Sequence, residues 1–388
     1  MVWSIPLAAV ALVVAALIPM QKKQIVSAGP APVGAYSPAI VAGGLVYLSG
    51  TIAQDETGAL VAPGDTPAQT RRIIERMREV LAAAGSSLDQ VVAVTVYLKS
   101  ASNFQVMNGV YRAFWPKDPP TRTTVITDLL LGADVEIAMV AALNGAERTP
   151  IHPGAWSRSP NPYSYAIKTG DTVFLSGLVP RNGRDNTTVE GDIRIQTRAV
   201  MDNAGELLKA AGLDYSNIVS ARVYLPDATT FQQMNDVYRS YFTSAPPPAR
   251  ATVKAGLAGS QYSVEMTFVA STSRREAIAP GQNLSAAIKA GSRLYLSGVL
   301  GNTAENAGDA SAQTREVMTK IRQTLESAGY TAADVVDGLV YLTDMSLFAQ
   351  MNGEYRTFFG TGFPARATVG VGLVAPGAVV EIMVTAVR

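Results

Sequence analysis

The sequence predicts an α+β fold class: three tandem domains, each a mixed β-sheet with two helices on one face. Three observations lead there. A set of short motifs recurs three times in the same order, at intervals above 100 residues. Each copy holds a stretch of helical period bounded by helix-start and helix-stop residues. Short apolar, β-branched runs stand before, between and after the helical segments.

The recurrence comes first because it fixes the architecture. Leu48-Ser49-Gly50, Leu175-Ser176-Gly177 and Leu296-Ser297-Gly298 lie 127 and 121 residues apart. Gln69-Thr70-Arg71, Gln196-Thr197-Arg198 and Gln313-Thr314-Arg315 follow them, then Ala84-Gly85, Ala211-Gly212 and Ala328-Gly329. Val96-Tyr97-Leu98, Val223-Tyr224-Leu225 and Val340-Tyr341-Leu342 come next. Last are Met107-Asn108, Met234-Asn235 and Met351-Asn352, each with a tyrosine three residues after its Asn. Periods of this length mean whole domains rather than solenoid units. The polar, turn-rich stretches near Asn144–Pro150 and Ser271–Glu276 divide the chain into domains at residues 24–145, 146–272 and 273–388.

In the first copy, Leu45-Val46-Tyr47-Leu48 is a strand closed by Ser49-Gly50. Thr66-Pro67-Ala68-Gln69 is a helix start, with Thr66 as cap, Pro at the first position and Gln three on. Ile73, Met77, Val80, Leu81 and Ala84 share one face of that helix, and Arg71, Arg72, Glu75, Arg78 and Glu79 the other. Gly85 stops it. Val91–Leu98 is a strand and Phe104–Trp115 a second helix, broken by Pro119-Pro120. Two further strands complete the copy.

Those last two strands carry the chemistry. Thr121-Arg122-Thr123-Thr124-Val125 precedes Val135-Glu136-Ile137; Ala249-Arg250-Ala251-Thr252-Val253 precedes Val264-Glu265-Met266; Ala365-Arg366-Ala367-Thr368-Val369 precedes Val380-Glu381-Ile382. Opposite charges set into apolar strands destabilise a fold unless each finds a partner or a ligand. One reading is an ion pair between adjacent strands; the other is a binding site.

Composition narrows the choices. The 388 residues are 48% hydrophobic and 16% charged, as in packed domains, and the net charge of +1 provides no general attraction for nucleic acid. With no cysteine and one histidine there is no disulfide, thiolate nucleophile or Cys/His zinc site. His152 lies in Pro150-Ile151-His152-Pro153, a linker-like segment, and reads as a solvated loop residue rather than a catalytic relay. Acid–base work therefore falls to Glu, Asp, Lys or Tyr. Val2–Met20 is an uncharged apolar run clipped by Pro6 and Pro19, with small residues at Ala15-Ala16 and Lys22-Lys23 behind it. It reads as a secretion signal or membrane anchor over residues 1–23, hence an exported, periplasmic or membrane-attached protein.

On the Pro-Ala-Arg segment, the Val-Glu-Ile strand, the Met-Asn-x-x-Tyr helix and the Leu-Ser-Gly turn, each copy resembles the RidA (YjgF/YER057c/UK114) family of reactive-imine deaminases, with a chorismate-mutase-like fold. The resemblance spans Gln24 to Arg388. Members form homotrimers with sheets inward, helices outward and ligand sites between subunits. Three copies in one chain thus imply a monomeric, intramolecular pseudo-trimer. By position the resemblance implies carboxylate binding by Arg122, Arg250 and Arg366, and water handling by Glu136, Glu265 and Glu381. Tyr36 and Tyr163 match the tyrosine of an N-terminal site loop; Leu284, in Asn283-Leu284-Ser285, replaces it in the third copy. Thr124, Thr252 and Thr368 stand where relatives often carry cysteine. Ser49, Gly50, Ser176, Gly177, Ser297 and Gly298 are expected to turn and line the clefts with backbone groups. Asn108, Asn235 and Asn352 are expected to orient backbone or a neighbouring domain.

The implied reaction is hydrolysis of a 2-imino or enamine acid such as 2-aminoacrylate to a 2-keto acid and ammonia, with no metal or organic cofactor and no nucleic-acid partner. Arginine matches a carboxylate with two parallel hydrogen bonds, and a nearby glutamate can accept a proton from water. Burial raises the glutamate pKa and the arginine lowers it; sequence leaves the winner open. Two other readings stand beside this one. A barbiturase-like ring-opening amidohydrolase would pair serine with Lys168 and Lys289, a pattern that Val41 breaks in the first copy. The other is a non-catalytic binder of small carboxylates or a holdase.

Overall fold

The computed structural model describes residues 23–29 and 31–388. The apolar run of residues 2–20 lies outside them. Lys23 is within them: its Nζ donates to Val335 O at 2.6 Å and Gly362 O at 3.1 Å, which ties the start of the first domain to the third. Among the described residues no helix is long and apolar enough to cross a membrane.

The first domain runs β1 (Gln24–Val26), β2 (Ala39–Ala42), β3 (Leu45–Thr51), α1 (Thr66–Ala83), β4 (Val91–Leu98), α2 (Asn103–Phe114), β5 (Thr121–Ile126) and β6 (Val135–Ala142). The second begins with β7 (Thr149–Ile151), β8 (Ala166–Thr169), β9 (Thr172–Leu175) and α3 (Ile193–Ala210). It continues through β10 (Ile218–Leu225), α4 (Phe231–Arg239), β11 (Ala249–Lys254), β12 (Gly256–Leu257) and β13 (Glu265–Ser271). The third has β14 (Arg275–Pro280), β15 (Ser285–Ala290), β16 (Arg293–Leu296), β17 (Val299–Leu300) and α5 (Ala310–Ser327). It ends with β18 (Val335–Leu342), α6 (Phe348–Phe359), β19 (Ala365–Gly370), β20 (Gly372–Leu373) and β21 (Val380–Val387).

Each sheet is mixed. In the first, β4 and β5 are parallel and joined by the crossover helix α2, while β6 lies antiparallel to both β3 and β4. Alternation along the strands sorts side chains between two faces. Val94 and Val96 of β4 pack with Ile73, Met77 and Leu81 of α1 and Tyr111 of α2. The other face meets the other two domains: Tyr97, Tyr224 and Tyr341, one from each copy, share a core with Val125, Val253 and Val369.

The three sheets are stitched in a ring. β12 of the second domain adds to β5 of the first, β20 of the third adds to β11 of the second, and Asp128 of the first bonds Gly370 of β19 through both backbone groups. The β5, β11 and β19 edges are thereby each met by the next domain. The chain is an internal pseudo-trimer.

Two details differ from the sequence reading. Asp65, not Thr66, caps α1: its carboxylate accepts from Ala68 N at 2.9 Å, and Thr66 is already helical. Gln69 turns away from the cap and ties the helix to the β5–β6 connection, donating to Asp134 Oδ2 and accepting from Asp134 N. Gln196 and Gln313 make the same kind of tie at Gln261–Ser263 and Gly377–Val379, which explains the repeated Gln. Gly85, Gly212 and Gly329 follow the helices with φ of 74°, 74° and 80°, the left-handed stop expected of them.

Candidate active site at the domain seams

Arg122, Arg250 and Arg366 are each the second residue of the strand that follows the crossover helix. Within a copy, the strand bearing Glu is not adjacent to the strand bearing Arg: β4, β10 or β18 lies between them. An ion pair between neighbouring strands of one domain is therefore ruled out by topology. The charges instead face each other across the seams without a direct ion pair, Arg122 towards Glu265, Arg250 towards Glu381 and Arg366 towards Glu136. They define a first, second and third cleft.

Each seam is built by the same bonds. The backbone N–H of Arg122, Arg250 and Arg366 donates to Ser176, Ser297 and Ser49 Oγ of the next domain, at 2.9, 2.8 and 2.8 Å. Those hydroxyls in turn donate to Ser164, Ser285 and Ser37 O, within 2.7 Å. Ser37, Ser164 and Ser285 close the seam from the other side, bonding the carbonyls that precede Pro364-Ala365, Pro120-Thr121 and Pro248-Ala249. The Leu-Ser-Gly serines are thus committed to joining domains.

The glycine beside each serine has a different reason. Gly50, Gly177 and Gly298 have no left-handed backbone, so the expected turn is not what requires them. A Cβ at these positions would lie 1.9, 1.9 and 1.8 Å from Oε1 of Glu136, Glu265 and Glu381. Only glycine leaves room for the carboxyl group.

The arginine heads are buried, at 4%, 2% and 2% exposure for Arg122, Arg250 and Arg366. Each lies over a tyrosine ring of its own crossover helix: Tyr111 at 4.9 Å, Tyr238 at 4.6 Å and Tyr355 at 4.7 Å. Phe104, Phe231 and Phe348 stand at 5.6, 6.0 and 5.5 Å. Tyr163 and Tyr36, from the neighbouring domain, complete the aromatic box in the first and third clefts at 5.8 and 5.5 Å. Asn235 and Asn352 accept from the guanidinium Nη2 at 2.7 and 3.0 Å, while Asn108 instead donates to Asn161 across the first seam.

Among the described residues, Nη1 of all three arginines and Nε of Arg250 and Arg366 have no hydrogen-bond partner. None of the three makes a salt bridge. A buried guanidinium with unmet N–H groups is poised for an anion. Opposite it, burial raises the carboxyl groups of Glu136, Glu265 and Glu381 to about 8, outweighing the lowering by the facing arginine. The backbone N–H of Thr124 donates to Glu265 Oε1 at 3.3 Å. Burial thus holds the proton on these glutamates to well above the usual carboxylate range.

Two clefts open into cavities. The third holds about 110 Å³ beside Tyr36, Ser49, Gly50, Glu136 and Thr368. The first holds about 210 Å³ beside Arg122, Thr124, Tyr163, Gly177 and Glu265. His152 lies outside both: it is exposed, bonding Trp156 O at 2.8 Å. Lys168 and Lys289 also lie elsewhere, Lys289 over the Tyr330 ring at 5.6 Å.

The family described as Endoribonuclease L-PSP matches residues 26–143, 157–272 and 274–388. The chain belongs to this family. It is the RidA/YjgF family of the resemblance, present in three tandem copies. A RutC family protein of Sulfurisphaera tokodaii is 43% identical over 110 residues, 28% of this chain and 87% of that protein. Protein DfrA of Myxococcus xanthus is 38% identical over 125 residues, covering 32% of this chain and 95% of its own length. Reactive Intermediate Deaminase A, chloroplastic, of Arabidopsis thaliana is 39% identical over 112 residues, 28% of this chain and 58% of that protein. Among solved structures, the YjgF gene product of E. coli aligns at 26% identity and TM-score 0.31, covering 32% of this chain and 98% of that one. Yeast Mmf1 aligns at 31% and 0.30, covering 32% and 100%.

The aromatic floor of Tyr111, Tyr238 and Tyr355 was the part of the RidA site that motif reading left without a role. The signal was present: a tyrosine three residues after the Asn lies on the same helix face, one turn on.

Proposed function

We propose that this RidA-family protein is a hydrolytic deaminase of reactive 2-imino and enamine acids. The observation that carries the proposal is that, at each seam, a buried guanidinium having unmet N–H groups faces a buried carboxyl group whose pKa burial raises to about 8. The substrate carboxylate takes the open arginine donors, and its C=N group lies towards the glutamate. The acid gives its proton to the imine nitrogen, so the carbon becomes electrophilic and the glutamate becomes a carboxylate. That carboxylate then takes a proton from water as the water oxygen bonds to carbon, forming a carbinolamine. The glutamate next protonates the amine nitrogen, the C–N bond breaks, and the hydroxyl proton returns to the carboxylate as the keto acid forms. One water enters, one ammonia leaves, and the glutamate ends as it began. A pKa near neutrality suits a group that must both give and take a proton. The relative named Reactive Intermediate Deaminase A supports the same chemistry.

The test is release of ammonia and pyruvate from freshly generated 2-aminoacrylate. The Arg122→Gln/Arg250→Gln/Arg366→Gln variant is expected to lose activity by roughly 10²-fold or more, as for removal of an electrostatic anchor in a dry site. An undiminished rate in a folded triple variant overturns the proposal.

A further inference from the structure

Fusion into one chain frees the three clefts to differ, and the first and third do. In the third, the outer wall is apolar: Val33, Ile52, Met77, Val80 and Leu130. Its one additional cation, Arg76, is neutralised by Glu56 at 2.7 Å. In the first cleft the wall is polar, formed by Gln105, Asn161, Gln261, Tyr262 and Arg181. Counting from the Leu-Ser-Gly motif, Arg181 occupies the position of Gln54 and Asn302. Gln54 commits its amide to Gly58 O at 2.7 Å, and Asn302 donates to Pro376 O at 3.1 Å. Only the second domain places a cation there.

Arg181 is half-buried, its Nε held by the hydroxyl of Tyr262 at 2.6 Å and its guanidinium 5.9 Å from that ring. No carboxylate lies within 4.0 Å of it among the described residues. Arg122, 5.8 Å from the Tyr163 ring, and Arg181 line the same cavity. Glu265 is the one carboxyl among the lining residues, and burial raises its pKa to about 8. The cavity thus sets two cations against a single carboxyl group in about 210 Å³, compared with about 110 Å³ for the third cleft.

We infer that the first cleft takes dicarboxylic 2-imino acids, with the 1-carboxylate on Arg122 and the side-chain carboxylate on Arg181. Imines of four- and five-carbon acidic amino acids have that form. The third cleft, with its apolar wall, takes uncharged aliphatic ones. This assignment rests on the deaminase reading for Arg122 and extends it to substrate class.

The inert keto acids 2-oxoglutarate and pyruvate are the probes, measured by calorimetry on the full chain and by crystals soaked in each. 2-Oxoglutarate is expected to occupy the first cleft with its distal carboxylate at Arg181 and to bind at least tenfold more tightly than pyruvate there. Arg181→Gln should weaken 2-oxoglutarate at least tenfold and leave pyruvate within twofold. Arg181→Lys, which keeps the charge, should recover part of the loss and so separates charge from damage to the fold. Equal weakening of both probes, or no change in either, overturns the substrate assignment while the deaminase reading survives. If neither probe enters any cleft and Arg122→Gln changes nothing, the deaminase reading falls, and this assignment with it.

Discussion

The second and third clefts share nearly every fixed part and differ in one. Arg250 and Arg366 have the same burial, the same tyrosine floor, the same asparagine on Nη2 and the same facing glutamate with its glycine niche. The difference is the connection that enters from the next domain. In the third cleft, the connection from β1 to β2 is long, and its residues 31–38 bring Tyr36 over the arginine. In the second, β14 and β15 pair almost without a break, joined by residues 281–284, and Gly281 N bonds Leu284 O at 2.8 Å. The missing tyrosine is therefore one part of a larger change, the replacement of a lid by a tight hairpin. The charged pair belongs to the sheet and survives; the lid is a separable loop.

That contrast predicts unequal activity. Glu136→Gln with Glu265→Gln, which disables the two lidded clefts, should lower 2-aminoacrylate turnover by roughly 10²–10⁴-fold. Glu381→Gln alone should leave it within twofold. Equal losses would break the comparison. Gly50→Ala is expected to abolish the contribution of the third cleft while the second and first continue, because its Cβ would overlap Glu136 Oε1; turnover by Gly50→Ala in a Glu265→Gln background measures this directly.

The raised glutamates also set a pH signature. Their pKa rises from 4.5 unfolded to about 8 folded, so the folded protein holds more protons between those values. Their contribution to stability is complete below pH 4.5 and is lost as pH rises through about 8. Denaturant midpoints should fall between pH 6 and pH 9, and the triple Glu→Gln variant should flatten that fall. Smaller still is Ser297→Ala, expected to cost about 1–3 kcal/mol by leaving the buried Arg250 N–H without an acceptor. Ser49→Ala should match it at the third seam, since that bond has the same length, 2.8 Å, in both.

Repeats, helices and the Arg and Glu positions were legible from residue pattern because each is a local property repeated three times. The glycine of Leu-Ser-Gly was legible as a glycine but not as the niche of a carboxyl group. The two lie 83 to 88 residues apart in sequence and meet only in the folded sheet. Gln69 was legible as a helix-start residue, yet its partner is Asp134, in the β5–β6 connection.

By itself the sequence determined that three α+β domains follow one another and that each places an arginine and a glutamate in apolar strands. It determined, too, that Leu284 stands where two copies have tyrosine. Only the tertiary structure decided which arginine meets which glutamate, because β4, β10 and β18 separate the two within a domain and the ring of domains joins them across it. It also decided that the glutamate pKa values rise, since desolvation depends on what packs around a carboxyl group and no residue's neighbours in sequence reveal that.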